Sequence, residues 1–320
     1  MSGFIAQRAL EIDASGIRKV FDLAAKLKDP INLSIGQPDF DVPDAIKEKA
    51  VEAIRGGKNR YTPTQGVAEF LGKVKETVRR DTGWNGADDP AALILSGTSA
   101  GLMLAMCATL KPGDEVLFLD PYFVMYKHVP RLCGAVPVAV DSYPDFRFHA
   151  ERVEAAITPR TKMMILCSPN NPTGITLSEA ELAAAAAIAR KHHLLVISDE
   201  IYDAFCYEPH RSIAPLLPGQ TILLKGYSKT YGMTGWRLGY AAASGEARGV
   251  IEQMTKLQQY TFVCAPSMVQ YAALGTVAGE TGPAAGEGGG AVGADGVDMR
   301  PYIDAYRRKR DKVLSALSDT

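Results

Sequence analysis

Between about Ala92 and Leu224, short apolar runs alternate with segments of helical length. Strands are predicted at Ala92–Ser96, Asp114–Asp120, Thr161–Ser168, Leu194–Ser198 and Thr221–Lys225, with helices at Ser99–Leu110 and Ser178–His192. That order restricts the chain to an α/β fold with a doubly wound, mostly parallel sheet. In such a fold, ligands bind beyond the carboxyl ends of the strands. The 320 residues suffice for a large core and for two domains.

The segments that follow these strands carry chemically useful residues. Gly97-Thr-Ser lies between a strand and a helix, where free backbone amides and the helix dipole make an anion site. Asp199 and Glu200 stand at the end of another strand, with Tyr202 just beyond. Lys229, flanked by Ser228 and Thr230, lies in the glycine-punctuated run Gly226–Tyr240, between the strand Thr221–Lys225 and a further predicted strand, Trp236–Ala243. An amine held there away from water and near Arg237 has a depressed pKa, and a neutral amine forms imines. Ser228 and Arg237 both suit an anionic oxygen, the arginine bidentately. Gly36, in a turn-rich stretch, lets a ligand approach the backbone closely. The cluster Pro169–Gly174 is first of all a turn, and the aromatics of Asp-Pro-Tyr-Phe123 suit a core. Gly97–Gly101 also satisfies G-x-S-x-G in a strand–turn–helix setting, with Asp199 and His210 following in hydrolase order around Ser99. That alternative leaves Lys229, Asn171 and Arg237 without a role.

Composition narrows the partners. A net charge of −1 argues against nucleic acid and against a polybasic membrane contact. The five cysteines are scattered, mostly in apolar runs, and are predicted to be reduced core residues of a cytoplasmic protein. The five histidines lack metal-ligand spacing, so no metal is expected. The N-terminus has no basic stretch leading into an apolar one, and no apolar run is long enough to span a bilayer.

The Lys229 segment, together with Gly36-Gln-Pro-Asp-Phe40, Tyr61-Thr-Pro-Thr-Gln-Gly66 and Pro169-Asn-Asn-Pro-Thr-Gly174, resembles the class I/II aminotransferases, pyridoxal-phosphate (PLP) enzymes of fold type I. The resemblance runs from about Leu33 to Leu317. It implies that Lys229 is the Schiff-base lysine and general base, and that Asp199 partners the pyridine nitrogen. Asn171 and Tyr202 then bond the phenolic oxygen, and Phe123 stacks on the ring. Thr98, Ser99, Ser228 and Arg237 hold the phosphate, joined by Tyr61 from the second subunit of a homodimer, and Gly36 lies beside the substrate carboxylate. The order Asn171, Asp199, Tyr202, Ser228, Lys229, Arg237 agrees with the family throughout. The implied reaction is transamination between an L-amino acid, of the aspartate or aromatic kind, and a 2-oxo acid. A PLP lyase or synthase shares every cofactor residue and stays open at this point, as does an inert PLP binder.

The implied domains are an N-terminal arm and small-domain segment (1–44), a PLP-binding large domain (45–277), a glycine-rich linker (278–298) and the start of a C-terminal small domain (299–320). The family continues beyond this last helix to an arginine that clamps the substrate carboxylate. Arg300, Arg307, Arg308 and Arg310 do not match it, so an incomplete small domain is expected.

Overall fold

A computed structural model describes residues 3–13, 16, 20, 23–24, 26–29, 36–277 and 297–318. The expected helix at 15–28 with its Ser15 cap, the expected strand near Leu33 and nearly all of the glycine-rich linker lie outside the described residues or are only partly covered by them.

The strands are β1 (Ala91–Leu95), β2 (Glu115–Asp120), β3 (Val136–Asp141), β4 (Thr161–Cys167), β5 (Leu195–Asp199), β6 (Thr221–Gly226) and β7 (Gly239–Ala243). They form one seven-stranded sheet in the order β1-β7-β6-β5-β4-β2-β3. β7 runs antiparallel to both its neighbours and every other pairing is parallel. Around the sheet lie α1 (Gln7–Leu10), α2 (Asp44–Arg55), α3 (Ala68–Thr82), α4 (Thr98–Thr109), α5 (Met125–Leu132), α6 (Ala150–Ala155), α7 (Glu179–His192), α8 (Arg248–Thr261), α9 (Ser267–Val277) and α10 (Arg300–Leu317).

Successive strand residues face opposite layers, which explains why both faces need apolar side chains. Leu93, Leu95, Ile222, Leu224, Ala241 and Ala243 pack with Leu102, Ala105 and Met106 of α4 and with Ile251 and Met254 of α8. On the other face, Ile94, Leu223, Tyr240 and Ala242 meet Phe70, Val74 and Val78 of α3 and Ala272 of α9. Further along that face Leu117, Met164, Leu166 and Val196 meet Leu182, Ala185 and Ala189 of α7. The local start of α7 is written in Ser178 and Glu181. Ser178 Oγ accepts from Glu181 N at 3.3 Å, and the Glu181 carboxylate accepts from Ser178 N at 2.8 Å, a reciprocal cap.

Two expectations need correcting. The strand expected from Trp236 begins only at Gly239, because Arg237 takes a left-handed φ of 57° that interrupts extended backbone. Cys107 is exposed rather than a core residue, since it lies on the solvent side of the last turn of α4. All five cysteines are free thiols.

Candidate active site

Five of the residues singled out in the sequence follow the carboxyl ends of parallel strands. Phe123 follows β2, Asn171 follows β4, Asp199 and Tyr202 end or follow β5, and Lys229 follows β6. Thr98 and Ser99 open α4 just after β1.

Lys229 lies in the turn between β6 and β7, half-buried, and its Nζ donates to Gly36 O at 2.5 Å. The ammonium stands 5.8 Å from the centroid of the Tyr202 ring. Burial, and then the positive charge of Arg237, hold the Lys229 amine below the usual lysine range. No carboxylate pairs with it among the described residues. Tyr202 is tied sideways to Asn171, whose Nδ2 donates to the tyrosine hydroxyl at 3.4 Å. Burial pushes the Tyr202 phenol up to about 12, with Cys167 and Asp199 adding to it, so the hydroxyl stays protonated and available as a donor. A Cβ placed on Gly36 would lie 3.7 Å from that hydroxyl. Gly36, Asn171, Tyr202 and Lys229 therefore meet, although the chain positions are far apart.

Asp199 is 3% exposed. Burial raises its carboxyl to about 6, against the pull of a hydrogen bond from Tyr126. The Tyr126 hydroxyl donates to Asp199 Oδ2 at 2.7 Å, and its ring meets that of Phe123 edge-on with centroids 5.8 Å apart. Tyr126 was not among the residues expected from the sequence. In Tyr122-Phe-Val-Met-Tyr126 it passes for one more core aromatic. The usable signal was its position one helical turn after Phe123, on the same side of the chain as the β5 terminus.

The third feature is an anion cradle at the start of α4. Gly97 has φ 78°, and a Cβ there would come within 2.5 Å of Arg237 Nη2 and 2.9 Å of Arg237 Cζ. The guanidinium thus lies directly against the backbone that precedes Thr98. The floor is equally tight, since a Cβ on Gly239 would sit 3.3 Å from Thr98 N and one on Gly226 3.1 Å from Thr98 Cγ2. Arg237 Nη1 donates to Thr234 O at 3.1 Å, and no carboxylate neutralises it among the described residues. Ser228, expected beside this cradle, is buried in the turn that carries Lys229.

Tyr61 does not join the group. It is 84% exposed, on the rim of an open cleft of about 310 Å³ with Lys58, Arg60 and Tyr271. The hydrolase triad is not assembled either. His210 directs Nε2 at Ser168 O, 3.2 Å away, and Nδ1 at Glu200, 3.8 Å away, while Asp199 is engaged by Tyr126. Three of the arginines near the C-terminal helix are already engaged: Arg300 with Asp298, Arg307 with Tyr207 O, and Arg310 with Asp311 and the Tyr207 ring.

A guanidinium-backed helix start, an amine short of its usual basicity and a buried acid are what a phosphorylated aldehyde with a basic ring nitrogen requires. Gly97, where any side chain would collide with Arg237, keeps the phosphate end open, so the residues fit that group. With the seven-stranded order, they define a pyridoxal-phosphate enzyme of fold type I. The family model for aminotransferase class I and II matches residues 28–288. The chain is 40% identical over 279 residues to a probable N-acetyl-LL-diaminopimelate aminotransferase of Bacillus subtilis (strain 168), covering 87% of this chain and 70% of that one. It is 40% identical over 268 residues to an aspartate aminotransferase of Pyrococcus abyssi, covering 82% and 68%. A solved structure, aspartate aminotransferase from Thermus thermophilus with maleate, aligns with a TM-score of 0.87 at 33% identity, covering 100% of this chain and 81% of that one. The chain belongs to the class I and II aminotransferases. It is a pyridoxal-phosphate-dependent aminotransferase that moves an amino group between an amino acid and a 2-oxo acid.

Proposed function

We propose that Lys229, Asp199 and Tyr202 are the catalytic groups of this aminotransferase and that its amino donor is a dicarboxylic L-amino acid of the aspartate kind. The single observation that carries the assignment is the Lys229 amine, desolvated, without a carboxylate partner among the described residues, and set between Gly36 O, the Tyr202 ring and the positive charge of Arg237. The donor class is supported by the two relatives above, both named for amino acids with more than one carboxylate.

Bound pyridoxal phosphate supplies the aldehyde that captures the amino group and the ring that accepts the electron pair left at Cα. The chain's own residues do the rest. Lys229 Nζ removes the proton from the substrate Cα, a role helped by burial and by Arg237, which hold the amine below the usual lysine range. Asp199, buried and ionised above about pH 6, holds a proton on the ring nitrogen. Asn171 and Tyr202 donate to the phenolic oxygen, Phe123 covers one face of the ring, and Thr98, Ser99, Ser228 and Arg237 bind the phosphate. Gly36 leaves room for the substrate carboxylate.

Tyr61, exposed and outside the group around Lys229, completes the phosphate contacts of a second copy, which makes the working unit a homodimer. Free thiols at all five cysteines support a cytoplasmic setting. Residues 45–277 form the cofactor-binding domain, and the segments 1–44 and 299–320 contribute to a smaller one. The latter division is supported by Asp39 N donating to the Tyr306 hydroxyl at 2.9 Å and by Phe40 packing on Tyr302 with ring centroids 4.6 Å apart.

The test is the visible absorption of purified protein incubated with pyridoxal phosphate. A band that Lys229→Ala abolishes, and that aspartate converts to the band of the aminated cofactor, is expected. A band unmoved by aspartate but converted by an aromatic amino acid reassigns the donor. A band that survives Lys229→Ala removes Lys229 from its role.

A further inference from the structure

Beneath the turn that carries Asp199 and Tyr202 lies a second set of charges that none of the steps above uses. Lys225 is the penultimate residue of β6, with a side chain only 14% exposed. Its ammonium is 2.9 Å from Asp203 Oδ2, 3.6 Å from Asp81 Oδ2 and 3.7 Å from Glu200 Oε2. Glu200 is 1% exposed. Its Oε1 accepts from Ser198 Oγ at 2.8 Å and Ser212 Oγ at 2.5 Å. Its Oε2 has no hydrogen-bond partner among the described residues and faces Lys225 and His210 Nδ1, the latter 3.8 Å away. His210 in turn bonds Ser168 O, at the exit from β4 that leads to Asn171.

Lys225 and Glu200 are buried while Asp203 and Asp81 reach solvent at the edge, and a buried charge pair of this kind is costly, an apolar filling of the same space commonly costing less. Glu200 even works against its neighbour, since its charge helps to raise the Asp199 carboxyl. What the arrangement gains is register. Glu200 N donates to Leu224 O at 2.9 Å and Asp203 N to Glu200 O at 3.1 Å, so the Asp199–Asp203 turn is fastened to β6 right beside Lys225. In the chain Tyr202 lies between Glu200 and Asp203, the two of these carboxylates that belong to the turn.

With the roles proposed above for Asp199 and Tyr202 as its premise, we propose that Lys225 is a positioning residue of the aminotransferase site. Through Asp203 and Glu200 it pins the Asp199–Asp203 turn onto β6. It thereby sets Tyr202 and Asp199 relative to Lys229, which lies in the turn that follows the same strand. Asp81 anchors the ammonium from α3, and His210 extends the clamp to the β4 exit. Lys225 touches none of the groups that meet around Lys229, so its effect passes through the turn.

The experiment compares Lys225→Met and Lys225→Arg in the full chain loaded with pyridoxal phosphate. Lys225→Met is expected to lower kcat per bound cofactor about tenfold, with the KM for the amino donor changed less than about twofold. It should also displace the visible absorption maximum, and Lys225→Arg should restore both. A lower melting temperature with kcat per bound cofactor, KM and absorption all unchanged assigns Lys225 to stability alone and overturns the inference. A change confined to KM overturns it as well. If Lys225→Met does not fold, Asp81→Asn carries the test, because Asp81 bonds Arg80 and Lys225 and lies outside the site. A fall in kcat per bound cofactor of about threefold is then expected, and no fall overturns the inference. Failure of the premise has a separate sign, a visible band or a transamination that survives Lys229→Ala.

Discussion

Asp199 is held in the folded chain against its own preference. Burial lifts its carboxyl from 3.8 to about 6, so folding favours the protonated form between those values. Stability is therefore lost as pH rises through that window and stays lost above about 6, by about 3 kcal/mol. The apoprotein of Asp199→Asn should melt higher than the unaltered chain at pH 8, with the difference shrinking as pH falls from 6 toward 4, while transamination is lost. Calorimetric scans across that pH range check the sign. Tyr126→Phe acts in the other direction on the same carboxyl. Without the 2.7 Å hydrogen bond, ionised Asp199 loses a donor, its pKa climbs further, and the acid limb of the kcat/KM profile should move up by about one unit. Of the proposed site, Lys229 stands out in the sequence by its place among glycines, whereas Asn171 reads locally as part of a turn and is singled out only by the family resemblance of its Pro-Asn-Asn-Pro-Thr-Gly run. Tyr126 does not stand out, because a tyrosine in a helix declares nothing until its hydroxyl meets a partner brought by another strand.

Among the elements, α4 shows how closely backbone positions are prescribed. Gly97 and Gly101 bracket its first turn, and a Cβ on Gly101 would lie 2.8 Å from both Leu224 Cδ2 and Leu95 Cδ1. The helix can approach β1 and β6 only because that side chain is missing. At Gly97 the obstructed atom is instead the end of the Arg237 side chain, which can move. Gly97→Ala also strains a backbone conformation, φ 78° and ψ 164°, that only glycine adopts readily, so it should lower the melting temperature as well as displace the guanidinium from the helix start and raise the dissociation constant for pyridoxal phosphate about tenfold, as read by absorbance titration. An unchanged constant would mean that Arg237 does not serve the cradle. The strands that flank the site were readable as apolar runs. β3 was passed over because Pro137 interrupts its pattern, and the pairing explains why proline is tolerated there, since β3 is an edge strand bonded only to β2. Arg237 misled in a different way. Its run looks like strand, and only a left-handed φ that no propensity announces turns the guanidinium toward Gly97.

For the whole molecule, the exposed Tyr61 makes a prediction about sharing. Tyr61→Ala and Lys229→Ala chains should each be weakly active or inactive alone. Mixed and reassociated, half the dimers are hybrids, and each hybrid has one site with both residues intact. Activity should recover to about a quarter of the unaltered level, and no recovery would place Tyr61 outside the neighbouring site. The sheet order has a consequence of another kind. β1 has a single neighbour, β7, with Leu95 facing Gly239 and Ala91 facing Ala243. Leu93, Ile94 and Leu95 thus leave the ribosome long before anything exists for them to pair with. At ordinary elongation speeds the wait is roughly 7–30 s. During that interval an apolar strand and the helix start proposed to receive the phosphate are both exposed, and the lysine proposed to join the cofactor, Lys229, is still to be made. The nascent chain is thus most prone to aggregate, and least able to be rescued by its own cofactor, until translation passes Ala243.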